Sequence, residues 1–183
     1  MADFGSAVFR HSPFPVPAGG HTFDFPSLTG RQWLTLLSSE NWVSATVGEL
    51  DEETHERFVD LVESGELEPA HVRAFAHAAL AGAAGRPWWE AQRLSGACFN
   101  DNGRLLGTAL LSGADPERMT LAAFLACVWA TLTKGADATQ IVKLEAELLI
   151  PPAEATPEER ADIDDDMGPM VERLRGMPGV SIG

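Results

Sequence analysis

The chain has 183 residues, enough for one ordinary domain with appended arms. Apolar residues at 45% and charged residues at 22% match a folded globular protein and exclude wholesale disorder. Thirteen Lys and Arg face 27 Asp and Glu, a formal net charge of -14 that repels nucleic-acid phosphate and anionic lipid and argues against both as partners.

Residues 1–28 read as an N-terminal arm. Pro13, Pro15, Pro17 and Pro26, with Gly19 and Gly20, exclude a helix there, because proline lacks the amide donor and clashes with the preceding turn. Phe4, Val8, Phe9, Phe14, Phe23 and Phe25 are nevertheless too apolar for a solvated linker. Thr22-Phe23-Asp24-Phe25 alternates with the period of a strand, so a short β-hairpin is one form open to the arm. Two placements follow: packing on its own domain, or docking on a neighbouring subunit through Phe23 and Phe25.

Residues 29–152 carry helical punctuation. Thr29-Gly-Arg-Gln32 has the spacing of a capping box and precedes Trp33, Leu34, Leu36 and Leu37 on one side of a short helix. Asn41 to Leu50 fits either a helix or an extended piece. Asp51 caps a helix with Glu52 and Glu53 in its first turn, an apolar stripe of Phe58, Leu61 and Val62, and a stop at Gly65. Pro69 opens the next helix, which carries Val72, Phe75, Ala76, Ala79 and Leu80 to Gly85. Pro87 opens another through Leu94, and Asn100 to Gly103 reads as a turn before the helical leucines 105, 106, 110 and 111. Asp115-Pro116-Glu117 combines a cap, a proline at the first helical position and an acid in the first turn. That pattern predicts a helix to Lys134 with Leu121, Phe124, Leu125, Val128 and Leu132 buried. A last helix is expected over Thr139–Leu148, before Pro151-Pro152.

Residues 153–183 are acidic. Thr156-Pro-Glu-Glu159 is a second capping box, followed by Asp162, Asp164, Asp165 and Asp166 and then by Met167, Met170, Val171 and Leu174 at helical spacing. A docked helix and a solvated tail both fit this segment. The fold class is therefore mainly α: a single compact helical domain between a Pro/Phe-rich arm and an acidic C-terminal helix or tail.

The longest apolar run, Leu121 to Ala130, falls short of the roughly 20 residues that cross a bilayer. Met1-Ala-Asp-Phe-Gly has neither the basic region nor the apolar stretch of a signal peptide, and with two free cysteines the expected location is the cytoplasm. Cys98 and Cys127 lie too far apart for a zinc spacing. His11, His21, His55, His71 and His77 include no i, i+4 pair, and Asp162 to Asp166 lacks the calcium-loop order. There is no G-x-S-x-G and no phosphate-binding G-x-x-x-x-G-K. Neither catalysis, a metal nor a cofactor is expected. Trp88 and Trp89 are adjacent near a helix start and project about 100° apart. Both can fill the core, or one can anchor a partner with Arg93, which shares a face with Trp89.

Three segments carry a family resemblance: Gly85-Arg-Pro-Trp-Trp-Glu-Ala-Gln-Arg-Leu, Gly113-Ala-Asp-Pro-Glu-Arg-Met-Thr-Leu-Ala-Ala-Phe and Lys143-Leu-Glu-Ala-Glu-Leu-Leu-Ile-Pro-Pro. From about Gly30 to Pro152 the chain resembles small tail assembly chaperones and tail-module proteins of siphophages and prophages of high-GC actinobacteria. Such chaperones are helical, often acidic, and in many cases have a longer frameshifted form. The resemblance implies a protein that coats the tape-measure protein before the tail tube forms, by self-association or in several copies along it, in the cytoplasm of the infected host. The tail tube protein is a second implied partner. The alternative within the same resemblance is a structural virion component, a connector, tail-terminator or minor tail protein, whose arm contacts neighbouring subunits.

Overall fold

In a computed structural model, residues 12–157 of the chain are described. The arm residues Phe4, Val8 and Phe9, the Thr156–Glu159 capping box beyond Pro157, and the acidic and Met-rich stretch from Asp162 to Leu174 lie outside the described residues. The chain divides into two compact units, Met1–Leu132 and Thr133–Gly183. Among the described residues there are eight α-helices and one β-hairpin, the mainly helical class expected from the punctuation.

The hairpin pairs β1 (Phe14–Ala18) with β2 (His21–Phe25), Phe14 opposite Phe25 and Val16 opposite Phe23. Gly19 and Gly20 both have positive φ, +55° and +85°, as a two-residue turn of the right twist demands. Strand alternation points Val16, Ala18, Phe23 and Phe25 inward and leaves Pro15 and Pro17 outside, where a missing amide donor costs the pair little. The hairpin belongs to the first unit. Phe23 meets Phe58 and Phe75 at 4.9 and 5.8 Å between ring centroids, and Phe25 meets Trp33 and Phe75 at 5.5 and 6.0 Å. The boundary drawn at residue 28 thus follows proline content, whereas the buried phenylalanines tie the arm into the helical core.

Helix α1 (Gly30–Leu37) begins with the predicted capping box: Gln32 N–H donates to Thr29 Oγ1 at 3.3 Å, and Thr29 N–H donates to Gln32 Oε1 at 2.9 Å. The ambiguous stretch forms a short helix, α2 (Trp42–Val47). Helix α3 (Glu52–Glu63) starts at Asp51, whose carboxylate accepts from the amide and the hydroxyl of Thr54. Those bonds hold its carboxyl below the ordinary value of 3.8, so the cap is intact above that pH and fades as the pH falls through the lowered value. Then come α4 (Pro69–Ala84) and α5 (Trp88–Phe99), the latter one turn longer than the sequence pattern predicts. A 3-10 turn at Asp101–Gly103 leads into α6 (Arg104–Leu111), and α7 (Leu121–Leu132) closes the unit. Helix α4 is central, packing on β1, α2, α5 and α7 through the fully buried Phe75, Ala76, Ala79 and Leu80.

One predicted helix start moves. Asp115-Pro116-Glu117 opens a single turn, and α7 begins at Leu121 rather than Pro116. The carbonyls of Pro116 and Met119, which a continuing helix would use itself, accept the amides of Arg31 and Gly30 at 2.9 and 2.8 Å. Thr120 bridges to Thr29 and starts α7 afresh, its hydroxyl accepting from Ala123 N–H at 3.3 Å. The core expectation for this helix holds for Leu121, Phe124, Leu125 and Val128, while Leu132, at the last turn, is half-buried. Gly30 permits the close crossing: a Cβ there would lie 3.2 Å from Phe124 Cβ and 3.4 Å from the Pro116 carbonyl oxygen.

The described part of the second unit contains α8 (Ala138–Leu149). Its capping box differs from the predicted start by one residue, with Asp137 and Gln140 exchanging bonds of 2.9 and 3.0 Å. None of its side chains is fully buried.

The α1–α7 crossing yields a graded stability test. Phe124→Ala should cost about 3–5 kcal/mol by leaving a cavity, and Gly30→Ala about 1–3 kcal/mol by overpacking. Urea denaturation midpoints read both, and unchanged midpoints would refute the placement of α1 against α7.

Candidate functional site

The structure places all four aromatic residues singled out for partner binding in the interior. Phe23 and Phe25 sit in the phenylalanine cluster under the hairpin. Trp88 and Trp89 are only 5% and 3% exposed, so of the two readings open to them, the one in which both fill the core holds. Their 100° divergence is resolved inside the fold. Trp88 stacks on the His77 ring at 3.7 Å, and His77 stacks in turn on Trp42 at 5.7 Å, joining α2, α4 and α5. Trp89 lies edge-on to Trp88 at 5.7 Å, its Nε1 buried without a hydrogen-bond partner. Arg93 is half-buried on α5, and Arg86 pairs with Glu90 at 3.6 Å at the start of that helix. Phe23 and Phe25 thus belong to the cluster around Phe58 and Phe75, and Trp88 and Trp89 to the stack on His77.

The exposed apolar surface lies elsewhere in the first unit. An open groove of about 240 Å³ is lined by Leu34 and Thr35 of α1, Phe99 of α5, Leu106 and Leu110 of α6, and Pro116. Phe99 is 47% exposed, Leu110 45%, and the adjoining Leu111 93%. Local geometry explains the exposure. Helix α6 has eight residues with leucine pairs at 105–106 and 110–111, and successive side chains diverge by about 100°. It packs on α5 and α7 with Ala109 alone fully buried, which leaves Leu110 and Leu111 facing outward. The turn at Pro116, pinned to α1, forms the opposite wall. Sequence reasoning missed this site. Its signal was the adjacent pair Leu110-Leu111 in the last turn of a short helix, two side chains about 100° apart of which neither is buried.

Beside the groove lies a basin of about 380 Å³, of mixed polar and apolar lining, that shares Arg31 and Thr35 with it. Glu49 and Glu117 line the basin, and Arg31 forms an ion pair with Glu117. The two depressions border the outward stripe of α1, Arg31, Thr35 and Ser38, which recurs every three to four residues. The groove is smaller and more open than the roughly 300–1,000 Å³ pockets that enclose small molecules. Its size and apolar lining suit one or two protruding side chains of a docked protein segment.

Among the described residues no group of three or more His, Cys, Asp or Glu is placed to hold a metal ion, and no helix is long and apolar enough to cross a membrane. Cys98 is fully buried in α5, its thiol donating to the Leu94 carbonyl at 3.4 Å, and burial pushes its pKa to about 11. Comparison with protein families, with curated proteins and with solved structures finds no match.

Two measurements separate the buried aromatic layer from the groove. Trp88→Ala should destabilise the fold by about 3–5 kcal/mol, whereas Leu110→Ser should stay within about 0.5 kcal/mol of the parent; thermal or urea unfolding gives both. Thiol labelling at pH 8 gives the second test. With a pKa of about 11, roughly one Cys98 in a thousand is thiolate at that pH, so folded protein should be modified at Cys127 alone and unfolded protein at both. Equal labelling of the two cysteines in folded protein would contradict the burial of Cys98.

Proposed function

We propose that this protein is a tail assembly chaperone that covers amphipathic helices of the tape-measure protein until the tail tube forms around them. The observation that carries the reading is the open apolar groove bounded by α1, α5 and α6, with Phe99 and Leu110 nearly half exposed at its mouth. A long amphipathic helix released into water exposes an apolar stripe that drives aggregation. Helix-in-groove recognition covers that stripe. The net charge of -14 supports the same role, because a strongly charged coat keeps the complex in solution and opposes clumping of copies along the partner. One of the resembling segments, residues 113–124, borders the groove and supplies the Pro116 turn. In this role the protein works in several copies in the cytoplasm of the infected host, beside the tail tube protein.

The virion-component alternative drew on the phenylalanine arm as a contact between subunits. Phe23 and Phe25 are engaged within their own unit, so these two side chains do not supply that contact.

Co-expression with a tape-measure fragment that is insoluble alone tests the proposal. The parent protein should bring the fragment into a soluble complex, and Leu110→Asp should abolish this while leaving the unfolding midpoint unchanged. A loss of 2 kcal/mol or more is the scale of an interface anchor. A fragment that stays insoluble and unbound beside folded parent protein refutes the chaperone reading.

A further inference from the structure

The groove and the basin next to it differ in character. The groove wall is mostly apolar, with Leu34, Phe99, Leu106, Leu110 and Pro116, and the basin carries two carboxylates, Glu49 and Glu117, against Arg31, the one cation among the described residues there, which lines both. Arg31 is committed to Glu117 in an ion pair, so the local excess is one negative charge at Glu49. The charge of the whole chain adds to it with the same sign. An apolar segment seated in the groove and running along α1 therefore reaches an acidic surface within about one helical turn, the rise between Thr35 and Arg31.

Resting on the helix-binding reading above, we propose that the preferred occupant is an amphipathic helix whose apolar stripe ends in Lys or Arg. The stripe seats on Phe99 and Leu110, and the basic end lies over Glu49 and Glu117. Coulomb attraction favours this polarity over the reverse, and an acidic end in the same place is repelled by Glu49 and by the net charge of the chain. Arg31 sets the contrast. With its guanidinium held by Glu117, it weakens the basin's attraction for a cation without cancelling it. The apolar contacts supply most of the affinity, while the charges set orientation and the rate of encounter.

The probes are three designed helical peptides of equal length and identical apolar stripe: one ending in two lysines, one in two glutamates, and one with the stripe scrambled. Binding to the full chain is read by fluorescence anisotropy at low and at high salt. The lysine peptide should bind about three- to tenfold more tightly than the glutamate peptide at low salt, the range of a few exposed charge contacts. That gap should close at 1 M salt, where the Debye length falls to about 3 Å. Glu49→Lys should reverse the preference, Arg31→Ala should widen it, and Leu110→Asp should remove binding of both peptides, with circular dichroism confirming that each variant is folded. Equal affinities for the lysine and glutamate peptides would overturn the charge inference and leave helix binding standing. Failure of both to bind better than the scrambled peptide would overturn the helix-binding reading itself. A dimer of the parent chain that Leu110→Asp dissociates would put a second copy in the groove and overturn the proposal as well.

Discussion

Two backbone hydrogen bonds set the geometry on which the candidate site depends. Gly30 and Arg31, at the open end of α1, donate to the carbonyls of Met119 and Pro116. Both sides of this exchange are groups that helices leave unpaired at their ends, so each end satisfies the other. The exchange needs α1 to approach the turn at backbone distance, and glycine at position 30 makes room against Phe124. Three consequences follow. Helix α7 begins at Leu121, the Pro116 turn stands against α1, and the space between that turn and α6 stays open as the groove.

Much of the local structure was legible because its causes are local. Thr29-Gln32, Asp51 and Pro69 act within one helical turn, and all three start helices as their chemistry dictates. The glycine pair at 19–20 and the alternation of Thr22-Phe23-Asp24-Phe25 likewise specify a hairpin without reference to distant residues. Asp115-Pro116-Glu117 carries equally good local chemistry and still makes only one turn, because the carbonyls of Pro116 and Met119 accept the amides of Arg31 and Gly30, far earlier in the chain. The placement of Phe23, Phe25, Trp88 and Trp89 fails to be legible for the same reason. Residue type shows that an aromatic side chain needs a partner, but not whether that partner is its own chain. Here it is: Phe58 and Phe75 for Phe23, His77 for Trp88.

The stacked layer Trp42–His77–Trp88 and the phenylalanine cluster around Phe75 have a common effect on the groove. They fasten α2, α5 and the hairpin to α4, so α5 is held along its length while Phe99, in its last turn, projects beyond the packed layers. An apolar side chain presented from a braced helix loses little conformational freedom on binding. That lowers the entropic cost that otherwise offsets contact area.

An acidic chain with an uncovered apolar groove joins two properties that oppose each other in self-association. Exposed Phe99, Leu110 and Leu111 favour contact between copies, and the net charge of -14 disfavours it. The balance depends on range. Charge repulsion acts over a Debye length of about 8 Å at physiological ionic strength, whereas apolar contact requires surfaces that touch. Net charge therefore acts against contact between copies at separations where apolar contact does not yet act. A segment of neutral or basic character meets no such barrier. Selectivity of this kind needs no close shape match, which suits a groove of about 240 Å³ open along one side. It follows from placing the apolar residues on a short helix, α6, in a chain whose net charge is strongly negative.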